Sequence, residues 1–141
     1  MSAKSNNAVA IEAKRSGIYC TPATIDMLRK AAAKAGLTWL DMPLAAVTNK
    51  KQFLALCAKQ MQLPPHFGDN WDALADCVRD FEWLKSQGYV LHLNGGAKFA
   101  QAAADDYQTA LAVLREAAEY WKDKGTPFIV LVDGAEDLPA F

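Results

Sequence analysis

Apolar and polar positions change their period several times along the chain, and each change marks an element. Residues 1–16 are polar and aperiodic, which predicts a disordered tail with order starting near Gly17. Ile18, Tyr19 and Cys20 read as a short strand. Thr21 then stands as an N-cap with Pro22 at the first helical position. Ile25, Leu28, Ala32 and Ala35 recur at helical spacing, and Gly36 stops the helix. Leu37 to Leu40 reads as a strand broken by Pro43. A second helix runs from about Thr48 to Gln62, with Phe53, Leu54, Cys57 and Met61 on its apolar face.

Proline cannot continue a helix, so Leu63, Pro64 and Pro65 end this one, and His66, Phe67 and Gly68 form a loop. Asp69 or Asn70 caps the next helix, whose apolar stripe is Trp71, Leu74, Cys77, Val78 and Phe81. Tyr89 to Leu93 and Phe128 to Val132 are apolar runs bounded by glycine or proline and read as strands. A short helix around Ala97 to Ala104 and a long one from about Asp106 to Lys124 lie between them, the latter carrying Leu111, Leu114, Ala118 and Trp121. Strands alternating with helices predict an α/β fold: a small, mostly parallel β-sheet flanked by α-helices. The length of 141 residues fits one domain over 17–141, opening with a short βα unit over 17–36.

Composition narrows the class. Hydrophobic residues make up 52% and charged residues 22%, which fits a packed globule and excludes extended disorder or a coiled coil. The N-terminus lacks the apolar core of a signal peptide, and no apolar run reaches the roughly 18 to 20 residues that span a bilayer, so a cytoplasmic protein is expected. Three cysteines without a CxxC pair argue against a disulfide framework, and Cys57 and Cys77, on apolar helical stripes, read as buried inert thiols.

The net charge of −1 hides a division. Residues 1–62 carry nine Lys/Arg against three Asp/Glu, a net of +6, whereas residues 63–141 carry six against thirteen, a net of −7. An acidic half disfavours nucleic acid as ligand, since phosphate binding needs clustered cations, but it steers a basic partner. Its densest part is FGDNWDALADCVRDFEW, where Asp69, Asp72, Asp76 and Asp80 are spaced by three, four and four and fall on one face of the expected helix. Asp69 and Asp72 are favoured there by the cap and the helix dipole. Asp76 and Asp80 have no such local benefit, and their mutual repulsion with only Arg79 nearby points to a partner-binding surface over a merely solvated face.

These residues resemble the barstar family, intracellular inhibitors of barnase-type ribonucleases. The likeness is clearest from Leu63 to Phe81, where the pattern LPxxFGxNxDALxDC falls in register with the family's inhibitory loop and second helix. It continues more weakly through LREAAEYWKDKG and the strand FIVLV, covering roughly residues 37 to 133. The resemblance implies that loop and helix enter the active site of a basic ribonuclease, with carboxylates in place of RNA phosphates. It implies Asp72 and Asp76 as main anchors and Glu116 as an outlying acidic contact. Together with the acidic spacing, the partner-binding set is expected to be His66, Phe67, Gly68, Asn70, Asp72, Ala75, Asp76, Asp80 and Glu116. His66 stands where the family has a tyrosine and Ala75 where it has a tryptophan, while Arg79 and Asp80 replace small uncharged positions. Loss of aromatic anchors points to a different cognate partner.

Rival classes are weaker. His66 with Asp72 and Asp76 has no HExxH or CxxC beside it, the other histidine, His92, sits in a strand, and neither a phosphate-binding glycine loop nor GxSxG occurs. No catalysis, metal or cofactor is therefore expected. Trp39, Trp71, Trp83 and Trp121 read as core or core-edge residues, with a rim contact as the alternative for Trp71 and Trp83. The remaining alternative to an inhibitor is an adaptor whose acidic helix recognises some other basic protein.

Overall fold

The computed structural model describes residues 11–65 and 67–141. Four strands form one sheet: β1 (Gly17–Cys20), β2 (Thr38–Pro43), β3 (Tyr89–Asn94) and β4 (Phe128–Val132), in the spatial order β1-β4-β3-β2. Every pairing is parallel, with Gly17 opposite Ile129, Val90 opposite Ile129 and Leu40 opposite Leu91. The expected α/β sheet is thus present, parallel throughout.

Five helices connect the strands: α1 (Ile25–Lys34), α2 (Lys50–Gln60), α3 (Trp71–Val78), α4 (Ala97–Ala102) and α5 (Ala104–Asp123). β1 to β2 crosses the sheet in one direction and β2 to β3 to β4 in the other. Right-handed crossovers then place α1 on one face and the remaining helices on the opposite face. The larger core lies between the sheet and α2 to α5, with Phe53, Met61, Leu74, Phe81, Phe99, Leu114 and Phe128 all buried. The smaller core lies under α1, where Leu28 and Ala32 meet Val90, Ile129 and Leu131. Central strands β3 and β4 are therefore covered on both sides, which is why they are nearly continuous apolar runs. No helix among the described residues is long and apolar enough to cross a membrane.

Several expected boundaries are corrected. The first ten residues of the expected tail lie outside the described residues, but structure begins before Gly17. Ala13–Arg15 form a 3-10 turn, and buried Ser16 accepts a hydrogen bond from the Phe128 N–H at 2.9 Å. Thr21 does not cap α1; its N–H extends the sheet by donating to the Val132 carbonyl at 3.1 Å, and the helix starts behind Thr24. The Thr21 hydroxyl oxygen is buried without a hydrogen-bond partner among the described residues. β2 runs through Pro43, because β2 is an edge strand, where a missing N–H leaves no partner unsatisfied. α2 begins after Asn49, whose Oδ1 accepts from the Gln52 N–H at 2.9 Å, while Gln52 Oε1 accepts from the Thr48 N–H at 2.7 Å.

Candidate binding surface

The loop between α2 and α3 leaves α2 through Gln62 in the left-handed region (φ 54°) and enters α3 through Asp69 in the same region (φ 52°). Two indoles fix the frame around it. Trp83 donates from Nε1 to the Met61 carbonyl at 3.0 Å, closing the end of α2, and Trp121 donates to the Val78 carbonyl at 2.7 Å, closing the end of α3. Carbonyls at a helix end lack intrahelical donors, so each indole removes a buried polar cost while its ring packs on the core.

Asn70 is the N-cap: its Oδ1 accepts from the Ala73 N–H at 2.8 Å, and its amide donates to the Gly68 carbonyl at 3.1 Å. Its side chain is thereby committed to shaping the loop. A β-carbon at Gly68 would stand 3.2 Å from that amide nitrogen, close enough to press on the side chain that shapes the loop. α3 buries Leu74 and Val78 and exposes Asp72 in its first turn and Asp76 one turn later.

The helix is shorter than its acidic pattern predicts. It ends at Val78 with Arg79 as C-cap, and Phe81 turns into the left-handed region (φ 49°) to bury its ring in the core. Asp80 therefore lies beyond the helix and not on its face; burying Phe81 outweighs one further helical turn. Asp80 is nonetheless brought back toward Asp76 by that turn, and both line a cleft of about 210 Å³ with Pro64, Phe67, Gly68, Ala73, Cys77 and Trp83. Cys77 is half-buried here rather than buried, correcting its expected place in the core. Its thiol is pushed above the ordinary value, first by burial and then by the charges of Asp76 and Asp80.

Of the expected contact residues, the structure gathers Phe67, Gly68, Asp76 and Asp80 around this cleft. Asp72 and half-buried Ala75 lie on α3 outside its lining, and Glu116 is exposed on α5, against which α3 packs. His66 lies outside the described residues. Asp69 faces a neighbouring cleft of about 260 Å³ with Lys50, Lys51 and Leu54, and Lys50 Nζ stands 5.7 Å from the centre of the Trp71 ring.

One contact was readable in the i, i+3 spacing but not in its consequence. Arg79 Nη2 lies 3.1 Å from Asp76 Oδ1, with the side chains 42% and 79% exposed, and Arg79 Nε donates to the Ala75 carbonyl at 3.0 Å. Trp83 as a wall of the cleft was likewise only an alternative in the sequence, since a wall needs the 3-10 turn Glu82–Leu84 to swing the ring back over the loop.

A family model described as Barstar (barnase inhibitor) matches residues 37–133, from the residue before β2 to the residue after β4. The chain belongs to the barstar family. The match takes in the loop, the cleft, α3 and α5, so the whole acidic surface lies in the family's part of the fold. β1 and α1 lie outside it and form an N-terminal addition to the barstar-type sheet. No curated protein matches the chain.

The other histidine has a different setting. His92 is buried on the α1 face of the sheet, where its Nε2 donates to Asp133 Oδ1 at 2.8 Å and its Nδ1 lies 3.9 Å from Asp41 Oδ1. Asp41 is held further by Arg29 Nη2 and by the Trp39 indole, each donating at 2.9 Å. This group ties β2, β3, α1 and the residue after β4 together, on the opposite face of the sheet from α3.

Proposed function

We propose that this barstar-family chain is a non-catalytic inhibitor of a basic ribonuclease. In this reading loop 63–69 and α3 enter the enzyme's active site, with carboxylates standing in for RNA phosphates. One observation carries it: Asp76 and Asp80 stand exposed at the mouth of a cleft walled by Phe67 and Trp83, on the stretch that the family resemblance assigns to blocking. A carboxylate offers two oxygens to a guanidinium as a phosphate does, and opposed potentials raise the encounter rate. Asp72, one turn before Asp76, extends the same charge along α3, and Glu116 adds an outlying contact from α5. Asn70 and Gly68 serve by holding the loop in shape.

The test is RNA cleavage by barnase and by basic ribonucleases retained on the immobilised chain, each with and without a stoichiometric amount of the protein. At least one of these enzymes is expected to be inhibited in a one-to-one ratio, with inhibition relieved by Asp76→Ala. A retained basic partner without nuclease activity, alongside uninhibited ribonucleases, would favour the adaptor instead.

A further inference from the structure

Asp76, the central carboxylate of the surface, already has a cation. The Arg79 guanidinium reaches it at 3.1 Å and is itself anchored to the Ala75 carbonyl at 3.0 Å, at the C-terminal end of α3, where the helix dipole favours a positive charge. Asp80, on the same cleft, makes no ion pair among the described residues. We propose that Arg79 is a selectivity gate on Asp76: an internal surrogate of the partner's arginine, which the partner's own cations must outcompete. The inference rests on the reading of this surface as the docking site for a basic protein, and it adds which basic proteins are accepted.

Two opposite effects of Arg79 are conceivable, and their sizes decide between them. It could orient Asp76 and so help a partner, but Asp has only two side-chain torsions and little freedom to lose. It could instead mask Asp76. A cation arriving at the second carboxylate oxygen also meets the charge of the guanidinium somewhat further off, so part of its attraction to Asp76 is cancelled. Masking dominates. The pair is exposed and hence weakly held, so it yields to a stronger competitor. Because Nε holds Arg79 at the helix end, its charge stays nearby even when the carboxylate is taken. A lone cation is therefore rejected. A partner with at least two adjacent cations, one engaging Asp76 and one engaging Asp80, gains enough to displace the surrogate. Selectivity thus comes from a built-in repulsive element as much as from attraction.

The experiment uses the full chain and a tetra-arginine peptide as probe, with binding followed by titration and by the side-chain carboxylate resonances of Asp76 and Asp80. Arg79→Gln keeps a donor for the helix end while removing the charge, so folding is preserved and checked by thermal unfolding. It is expected to bind the peptide about three- to tenfold more tightly than wild type at low salt, with the gain shrinking as salt is added. In the Asp76→Asn background the same substitution is expected to give no more than a small gain from net charge. Equal affinity of wild type and Arg79→Gln, no binding by Arg79→Gln, or a full gain that survives Asp76→Asn overturns the gate. Failure of the inhibitor reading is separate: it shows as uninhibited ribonuclease while the peptide result stands.

Discussion

Two groups of carboxylates on opposite faces of one sheet have opposite fates. Asp41 and Asp133 are engaged within the fold: His92 meets Oδ1 of Asp133, while Arg29 and the Trp39 indole donate to Oδ1 of Asp41, linking β2, β3, α1 and the residue after β4. Asp76 and Asp80 stand at a cleft mouth, one held only by an exposed arginine and the other by no ion pair among the described residues. What distinguishes a structural carboxylate from an available one is whether the surrounding chain supplies its donors. The first kind should carry stability and no binding, and the second binding with little stability.

The largest expected effect breaks the comparison on the binding side. Asp76→Ala is expected to cost the complex with the ribonuclease about 2 to 5 kcal/mol, the range known for truncating one partner of a buried charge pair, with the barnase–barstar interface itself among the standard cases. Folding should hardly change. Glu119, exposed on α5 beside β1, is the control, and Glu119→Ala should cost about 0 to 1 kcal/mol. Calorimetric titration with parallel thermal unfolding measures both, and equal losses would reduce the surface to bulk charge.

The reciprocal change is His92→Ala, which strands Asp133 and opens a void beside Leu131. A loss of about 2 kcal/mol in denaturant unfolding is expected, with inhibition intact. A binding defect at unchanged stability would show that the two faces are coupled.

A pH dependence sharpens the separation, since neither set of carboxylates is involved. Cys57 is buried, and burial pushes its thiol far above its ordinary value. The folded state therefore keeps a proton that the unfolded state releases above about pH 8.5 to 9. Stability from this group is full below that pH and falls as pH rises, by about 1.4 kcal/mol per pH unit. Denaturant midpoints between pH 8 and 10.5 should fall less steeply in Cys57→Ala than in wild type, and parallel curves would remove the thiol as the cause.

The smallest effect concerns the hinge between loop and helix. Asn70→Ala should lose about 1 kcal/mol of stability through the cap and weaken inhibition modestly by loosening the loop. Faster amide exchange at Ala73 would trace both to the lost bond. Full stability with a large inhibition defect would instead make Asn70 a direct contact.

Elements whose cause is local were legible in the sequence. The strand Phe128–Val132 coincides residue for residue, the stripe Phe53, Leu54, Cys57 and Met61 is buried as its period requires, and Asn70, one of two candidates, is the cap. Features set by distant partners were not. Pro43 sits in a strand only because β2 is at the edge, and Thr21 pairs with β4, more than a hundred residues away. α3 stops early because the core claims Phe81. The acidic candidates could be read from spacing, but the cleft that unites Asp76 with Asp80 exists only because the helix ends between them.

The added strand β1 has a consequence for the order of events at synthesis. Its ladder partner is β4, Gly17 lying opposite Ile129, and Cys20 bridges to Ala140 further on, while Ser16 and Phe128 are joined across 112 positions of sequence. β2 and β3 can pair well before β4 leaves the ribosome; β1 has no sheet neighbour until then. Contacts this remote raise the mean contact order and close a long loop at the end of folding. The barstar-type core is thus expected to form first, with docking of the N-terminal strand as the closing step, visible as a late phase in refolding of the full chain.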